Sequence, residues 1–122
     1  MTPLYRWEQP GSWTWAPAVD IFETDAEIVV RAEVPGVARD QVQVEVDDGV
    51  LSLRGERKFE KEVKEENYHR VERVYGAFHR SFTLPDTVDP EKVRAELRDG
   101  VLEVRLGKRE QAKPRQIQVK VN

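Results

Sequence analysis

The residue types that usually carry chemistry are few in this chain, and their spacing does not suit it. His69 and His79 have no second His or Cys at the spacing of a metal-ligand pair. The chain has no Cys, so thiolate chemistry and disulfides are excluded, which fits a reducing compartment such as the cytoplasm. Ser12, Ser52 and Ser81 do not sit in a strand-to-helix elbow that would expose a nucleophile. Gly49, Gly55 and Gly100 belong to turns or strands, not to a phosphate-cradling loop. The carboxylates alternate with Lys and Arg, as on a solvated face, whereas a catalytic pair needs shelter. The sequence therefore predicts no enzyme, no metal and no cofactor.

What the residues offer instead is adhesion, in four places. All three Trp (Trp7, Trp13, Trp15), with Leu4 and Tyr5, lie in the first fifteen residues. Exposed apolar clusters of this kind mark interaction sites, so this segment reads as an adhesive arm, with packing on the sheet as the alternative for Trp15. At the other end, Ile117-Gln118-Val119 alternates after a polar, basic linker. It is either a last strand of the domain or a short strand that docks on a sheet edge elsewhere. A mixed-charge stretch, Arg57 to Arg70, contains Tyr68, His69 and Arg70 and lacks an apolar stripe, so it predicts a long exposed connection. Finally, Arg80 shares a strand face with Phe78, Phe82 and Leu84. A buried guanidinium there needs a partner, either across a subunit interface or, on an outer face, water.

The elements that must position these features are strands. Glu27-Ile28-Val29-Val30-Arg31-Ala32-Glu33-Val34 puts Ile28, Val30, Ala32 and Val34 on one face. Val34-Pro35-Gly36-Val37 has the signature of a type II turn. Residues 42–54 and 93–105 echo each other: an alternating strand, Asp-Gly, then a second alternating strand. Asp-Gly predicts a two-residue hairpin turn at each. Val46 then faces Leu51, Val44 faces Leu53, Leu97 faces Leu102, Ala95 faces Val104 and Val93 faces Leu106. In the same register Glu96 faces Glu103 and Arg94 faces Arg105, which requires diagonal compensation or a bulge. Asp89-Pro90-Glu91-Lys92 reads as one helical turn. About seven short strands and almost no helix predict an all-β architecture of two antiparallel sheets packed as a sandwich.

Length and composition bound the rest. The 122 residues make one domain, and no run approaches a bilayer span. The start, Met1-Thr2-Pro3-Leu4, lacks the basic and apolar regions of a signal peptide. A net charge of -3 with 35% charged residues describes a solubilising mixture, without the basic excess of a nucleic-acid protein. No nucleic-acid or membrane partner is expected.

Several motifs, in this order and spacing, resemble the small heat-shock proteins of the Hsp20, or α-crystallin domain, family. They are Pro17-Ala18-Val19-Asp20-Ile21-Phe22-Glu23-Thr24, Val34-Pro35-Gly36-Val37, Asp48-Gly49-Val50-Leu51, Tyr75-Gly76-Ala77-Phe78-His79-Arg80-Ser81-Phe82-Thr83-Leu84-Pro85, Gly100-Val101-Leu102 and Ile117-Gln118-Val119. The resemblance runs from about Pro17 to Asn122 and divides the chain into an aromatic arm (1–16), an α-crystallin domain (17–108) and a C-terminal extension (109–122). The arm would be shorter than the family usually carries. The resemblance implies an ATP-independent holdase chaperone of the stress response, of bacterial or plant type, that binds partly unfolded clients and suppresses their aggregation. It further implies a homodimer made by strand exchange, in which the loop with Tyr68, His69 and Arg70 pairs with the partner's strand near Val19–Phe22, supported by Arg80. Ile117 and Val119 would insert between the sheet edges of a neighbouring dimer, at Val42 and Val44 on one side and Val93 and Ala95 on the other. This would build a larger homo-oligomer. The client-binding arm would be Leu4, Tyr5, Trp7, Trp13 and Trp15. The alternative is a CS-type co-chaperone sandwich that binds a folded chaperone partner and has no need of the tail motif.

Overall fold

The computed structural model describes residues 15–59, 63–114 and 117–120. Among them are seven strands: β1 (Val19–Glu23), β2 (Glu27–Glu33), β3 (Val42–Asp47), β4 (Val50–Arg57), β5 (Gly76–Thr83), β6 (Val88–Arg98) and β7 (Val101–Lys108). They form a four-stranded sheet in the order β1-β2-β7-β6 and a three-stranded sheet in the order β3-β4-β5. All ladder pairs are antiparallel. The all-β antiparallel sandwich expected from the alternation is therefore present, of the immunoglobulin-like kind that the resemblance implies.

Both Asp-Gly turns are built as their sequence requires. Asp48 and Gly49 have φ of 50° and 74°, and Asp99 and Gly100 have 52° and 76°. Two successive positive φ values define the type I′ turn, whose twist matches the flanking strands. All five predicted cross-strand pairs occur, from Val46–Leu51 and Val44–Leu53 to Leu97–Leu102, Ala95–Val104 and Val93–Leu106. Gly36 has φ 82°, and the Val37 amide donates to the Val34 carbonyl at 3.2 Å, closing the turn after β2.

The core lies between the sheets. Ile28, Val30, Ala32 and Val34 face Leu51, Leu53 and Phe78, with Leu102, Val104 and Leu106 beside them. Gly55 lets this core close. A Cβ there would lie 2.4 Å from the Gln41 carbonyl and 2.6 Å from the Phe78 ring.

Two local expectations change. Asp89-Pro90-Glu91-Lys92 is not a helical turn but the bulged start of β6, whose register jumps between Val88–Lys108 and Val93–Leu106. The Asp89 carboxylate accepts from the Glu91 amide at 3.0 Å, as a cap would, but the chain continues extended along β7. The like-charged pairs Glu96–Glu103 and Arg94–Arg105 do face each other. Their relief comes partly from β2 and partly from neighbours two residues along the same strand. Glu103 pairs with Arg31 of β2 at 2.8 Å, Arg105 with Glu103 and with Glu27 of β2, and Glu96 with Arg98. Hydrogen bonds from Arg31 and then Arg105 hold the Glu103 carboxyl below its ordinary range.

Candidate functional site: the two seams between the sheets

Stacking the sheets leaves two seams, one where edge strands β3 and β6 meet and one where β1 and β5 meet. The first holds an open groove of about 490 Å³ lined by Val42, Val44, Ala95, Leu97 and Leu102, with Arg39 and Glu96 at its rim. Its apolar floor follows from the two hairpins. Each Asp-Gly register turns one apolar face inward, and on the edge strands, which have one free side, the side chains of that face (Val42, Val44, Leu97) are only partly covered and Ala95 is exposed. Of the residues assigned to the groove edges, Val42, Val44 and Ala95 line it, while Val93 packs against the core. Leu97 and Leu102 were already legible as a facing pair. Nothing in the sequence pointed to Arg39.

The tail motif is exposed: Ile117 and Val119 are 82% and 81% accessible and belong to no strand. Upstream, the departure of the chain is pinned. The Arg109 amide donates to the Thr87 carbonyl at 2.7 Å, and Glu110 accepts from Lys92 at 3.2 Å and Lys113 at 2.9 Å.

The second seam is closed at one end and open at the other. At the closed end Trp15 bridges to Phe78 in parallel, with ring centroids 4.9 Å apart, and its indole N–H donates to the Gly76 carbonyl at 3.0 Å. Of the two alternatives for Trp15, packing on the sheet is the one observed. Leu4, Tyr5, Trp7 and Trp13 lie outside the described residues. Arg80 faces Leu53 across the ladder, lies against the Phe82 ring and donates to the Pro17 carbonyl at 2.9 Å. Among the described residues its partners are thus a carbonyl and a ring, not a carboxylate. At the open end, Ile21, Phe22, Ile28, Val30, Phe82 and Leu84 surround a cavity of about 260 Å³. Ile21 is 51% and Phe22 38% accessible, and β1 is the outermost strand of its sheet.

Tyr68, His69 and Arg70 lie in the connection from β4 to β5, after a single 3-10 turn (Glu65–Asn67), and do not form a strand within the chain. Tyr68 packs on Phe59, which also meets Tyr75, with centroids 5.1 and 4.6 Å apart. Arg70 pairs with Glu72 at 2.9 Å, both side chains being largely exposed.

Among the described residues no cluster of His, Cys, Asp or Glu could hold a metal, and no helix is long and apolar enough to cross a membrane. The geometry offers two apolar seams, each flanked by strands with one free edge.

Comparison with known proteins agrees with this architecture. The model of the Hsp20/alpha crystallin family matches residues 20–121. Small heat shock protein C4 of Rickettsia felis is 38% identical over 104 residues, covering 85% of this chain and 64% of the relative. The 22.0 kDa heat shock protein of Arabidopsis thaliana is 47% identical over 103 residues, covering 83% of this chain and 53% of the relative. The chain thus spans less than two thirds of the length of these curated relatives. Among solved structures, HspA of Xanthomonas axonopodis is 47% identical with a TM-score of 0.70, covering 78% of this chain and 95% of that one. A small heat-shock protein from Xylella fastidiosa, described with a distinct high order structure, is 42% identical with a TM-score of 0.75, covering 88% and 98%. With the sandwich, the two hairpins and the family match over residues 20–121 all in agreement, the chain belongs to the Hsp20/alpha crystallin family.

Proposed function

We propose that this chain is an ATP-independent holdase chaperone of the cytoplasm, without enzymatic activity. It would bind partly unfolded proteins and keep them from aggregating. The observation that carries this reading is the pairing of exposed apolar segments with apolar seams in one highly charged molecule. Ile117 and Val119 are uncovered, and the groove edged by Val42, Val44 and Ala95 is half open. Two side chains spaced i, i+2 on an extended strand fall on one face, which is what a groove between two sheet edges receives.

In this reading the chain is an arm (1–16), a domain (17–108) and an extension (109–122), and the assembly forms in two steps. The loop with Tyr68, His69 and Arg70 crosses to the free edge of a partner's β1 and covers Ile21 and Phe22, with Arg80 supporting the interface. The tail then links dimers by docking Ile117 and Val119 in the β3/β6 groove of a neighbour. The cluster Leu4, Tyr5, Trp7 and Trp13 supplies surface for clients, while Trp15 anchors the arm to β5. The free β1 edge, with two large apolar side chains beside an open cavity, supports the first step.

The test is heat aggregation of a model client with the intact protein at an equimolar subunit ratio. Light scattering should stay low without nucleotide. Undiminished client scattering would refute the holdase reading.

A further inference from the structure

The two edges of the β3/β6 groove are not equivalent. The β6 edge begins with Pro90, which has no N–H to offer, and with the bulge between Val88 and Val93. Beside the groove its outward charges are already committed, Arg94 to Glu27 at 3.8 Å and Arg98 to Glu96 at 3.0 Å. The β3 edge is regular and contains no Pro. Its outward side chains Gln43, Glu45 and Asp47 are exposed. Across the ladder Glu45 faces Ser52 and Asp47 faces Val50, with Arg54 opposite Gln43. Among the described residues neither carboxylate has an ion pair.

Charge separates the edges further. Residues 40–48 hold Asp40, Glu45, Asp47 and Asp48 and no basic residue, with Arg39 just before them. Residues 113–120 hold Lys113, Arg115 and Lys120 and no acidic one. The groove stretch of β6 offers Arg94 and Arg98 against one carboxylate, Glu96. A basic tail is therefore attracted to β3 and not to β6.

We propose that the tail of a second copy adds as a strand to the free edge of β3, running parallel to it, with Lys120 against Glu45. This rests on the tail-docking reading above and assigns its edge, its direction and its charge contact. The groove lining limits the register. Val42 and Val44 line the groove and Val46 does not, so Ile117 and Val119 take the places beside Val42 and Val44. In the parallel order Ile117 lies beside Val42, Gln118 beside Gln43, Val119 beside Val44 and Lys120 beside Glu45. In the antiparallel order Lys120 lies beside Gln41, and Glu45 gains no cation. Opposite charges on one face of adjacent strands attract, so the parallel order is the one that both the apolar and the charged side chains satisfy.

The chain has no Cys, so introduced pairs report without background. Intact protein carrying Glu45→Cys and Lys120→Cys should form, on mild oxidation, a disulfide between copies that joins positions 45 and 120, identified by peptide mass mapping. Lys120→Cys combined with Gln41→Cys reports the antiparallel order, and with Arg94→Cys or Glu96→Cys it reports docking on β6. Each of these should cross-link at least about tenfold more slowly, because the positions lie beyond disulfide reach. Charge reversal is the second arm. Glu45 and Lys120 are exposed, so Glu45→Lys and Lys120→Glu should fold. Each should weaken assembly on dilution by about 2–10-fold in light scattering, and the two together should regain most of the loss. Faster cross-linking at position 41, 94 or 96 than at 45, or a double reversal no better than either single one, would overturn the assignment while tail docking stands. An assembly mass unchanged by Ile117→Gly with Val119→Gly would overturn docking itself, and this assignment with it.

Discussion

At the scale of single residues, the most constrained position is Gly55, whose missing side chain leaves room for both Phe78 and the Gln41 carbonyl. Neither neighbour is the tip of a flexible chain, so Gly55→Ala must displace a buried ring or backbone. It should destabilise the domain by about 1–3 kcal/mol in urea unfolding, and Phe78→Ala by about 3–5 kcal/mol. Glu103 gives a pH signature. Its folded pKa is depressed by Arg31 and Arg105, so its stabilisation is present above the ordinary Glu range and is lost as pH falls through the folded value. Glu103→Gln should therefore lower the melting temperature near neutrality and flatten its decline in acid. The side chain is solvent-accessible, so the effect should be small and should shrink in high salt. Residues that act within their own hairpin were legible in advance, as Asp48, Asp99 and their facing pairs were. Arg57 was not, because its burial is assembled from Trp15, Pro35 and Val74, which are remote in sequence.

At the scale of elements, β6 and β3 matter because they are edges. An edge strand exposes unpaired backbone groups, and here each also carries half-covered apolar side chains beside an open groove. Replacing Ile117 and Val119 together by Gly should shrink the assembly measured by light scattering, while circular dichroism stays that of the parent. Val44→Glu should do the same from the receiving side, since a carboxylate in that floor opposes an apolar side chain. An unchanged mass for both variants would exclude tail docking in this groove. The start of β6 is where local reading failed. Asp89 and Pro90 have the chemistry of a helix start, but the ladder to β7 outweighs one turn of helix, which is costly to nucleate. The charged connection was legible as a connection, but its ring cluster of Phe59, Tyr68 and Tyr75 was not, because those rings meet across a fold in the chain.

At the scale of the molecule, the distribution of charge and apolar surface decides behaviour. With 35% charged residues and a net charge of only -3, the chain carries a nearly balanced mixture of charges around two half-covered apolar seams. No Cys is present, so packing and strand pairing alone would hold copies together, and assembly should be reversible. Mixing isotopically labelled and unlabelled protein should give mixed assemblies by native mass spectrometry, faster on warming. Assemblies that never mix would contradict this prediction.

The amino-acid order by itself determined where strands run, which face of each is apolar, where the chain reverses and in what register, because a period of two and an Asp-Gly turn act over a few residues. It also marked Ile117 and Val119 as unusual. The meeting of β3 with β6 was implied only by the family resemblance, and the tertiary structure alone decided that Trp15 closes one end of the β1/β5 seam, that Arg80 reaches the Pro17 carbonyl, and that Arg57 is buried against Trp15. The physical reason is range. Ladder pairing is recorded in neighbouring residues, whereas the meeting of two sheet edges depends on how whole sheets stack, a choice that the core makes collectively.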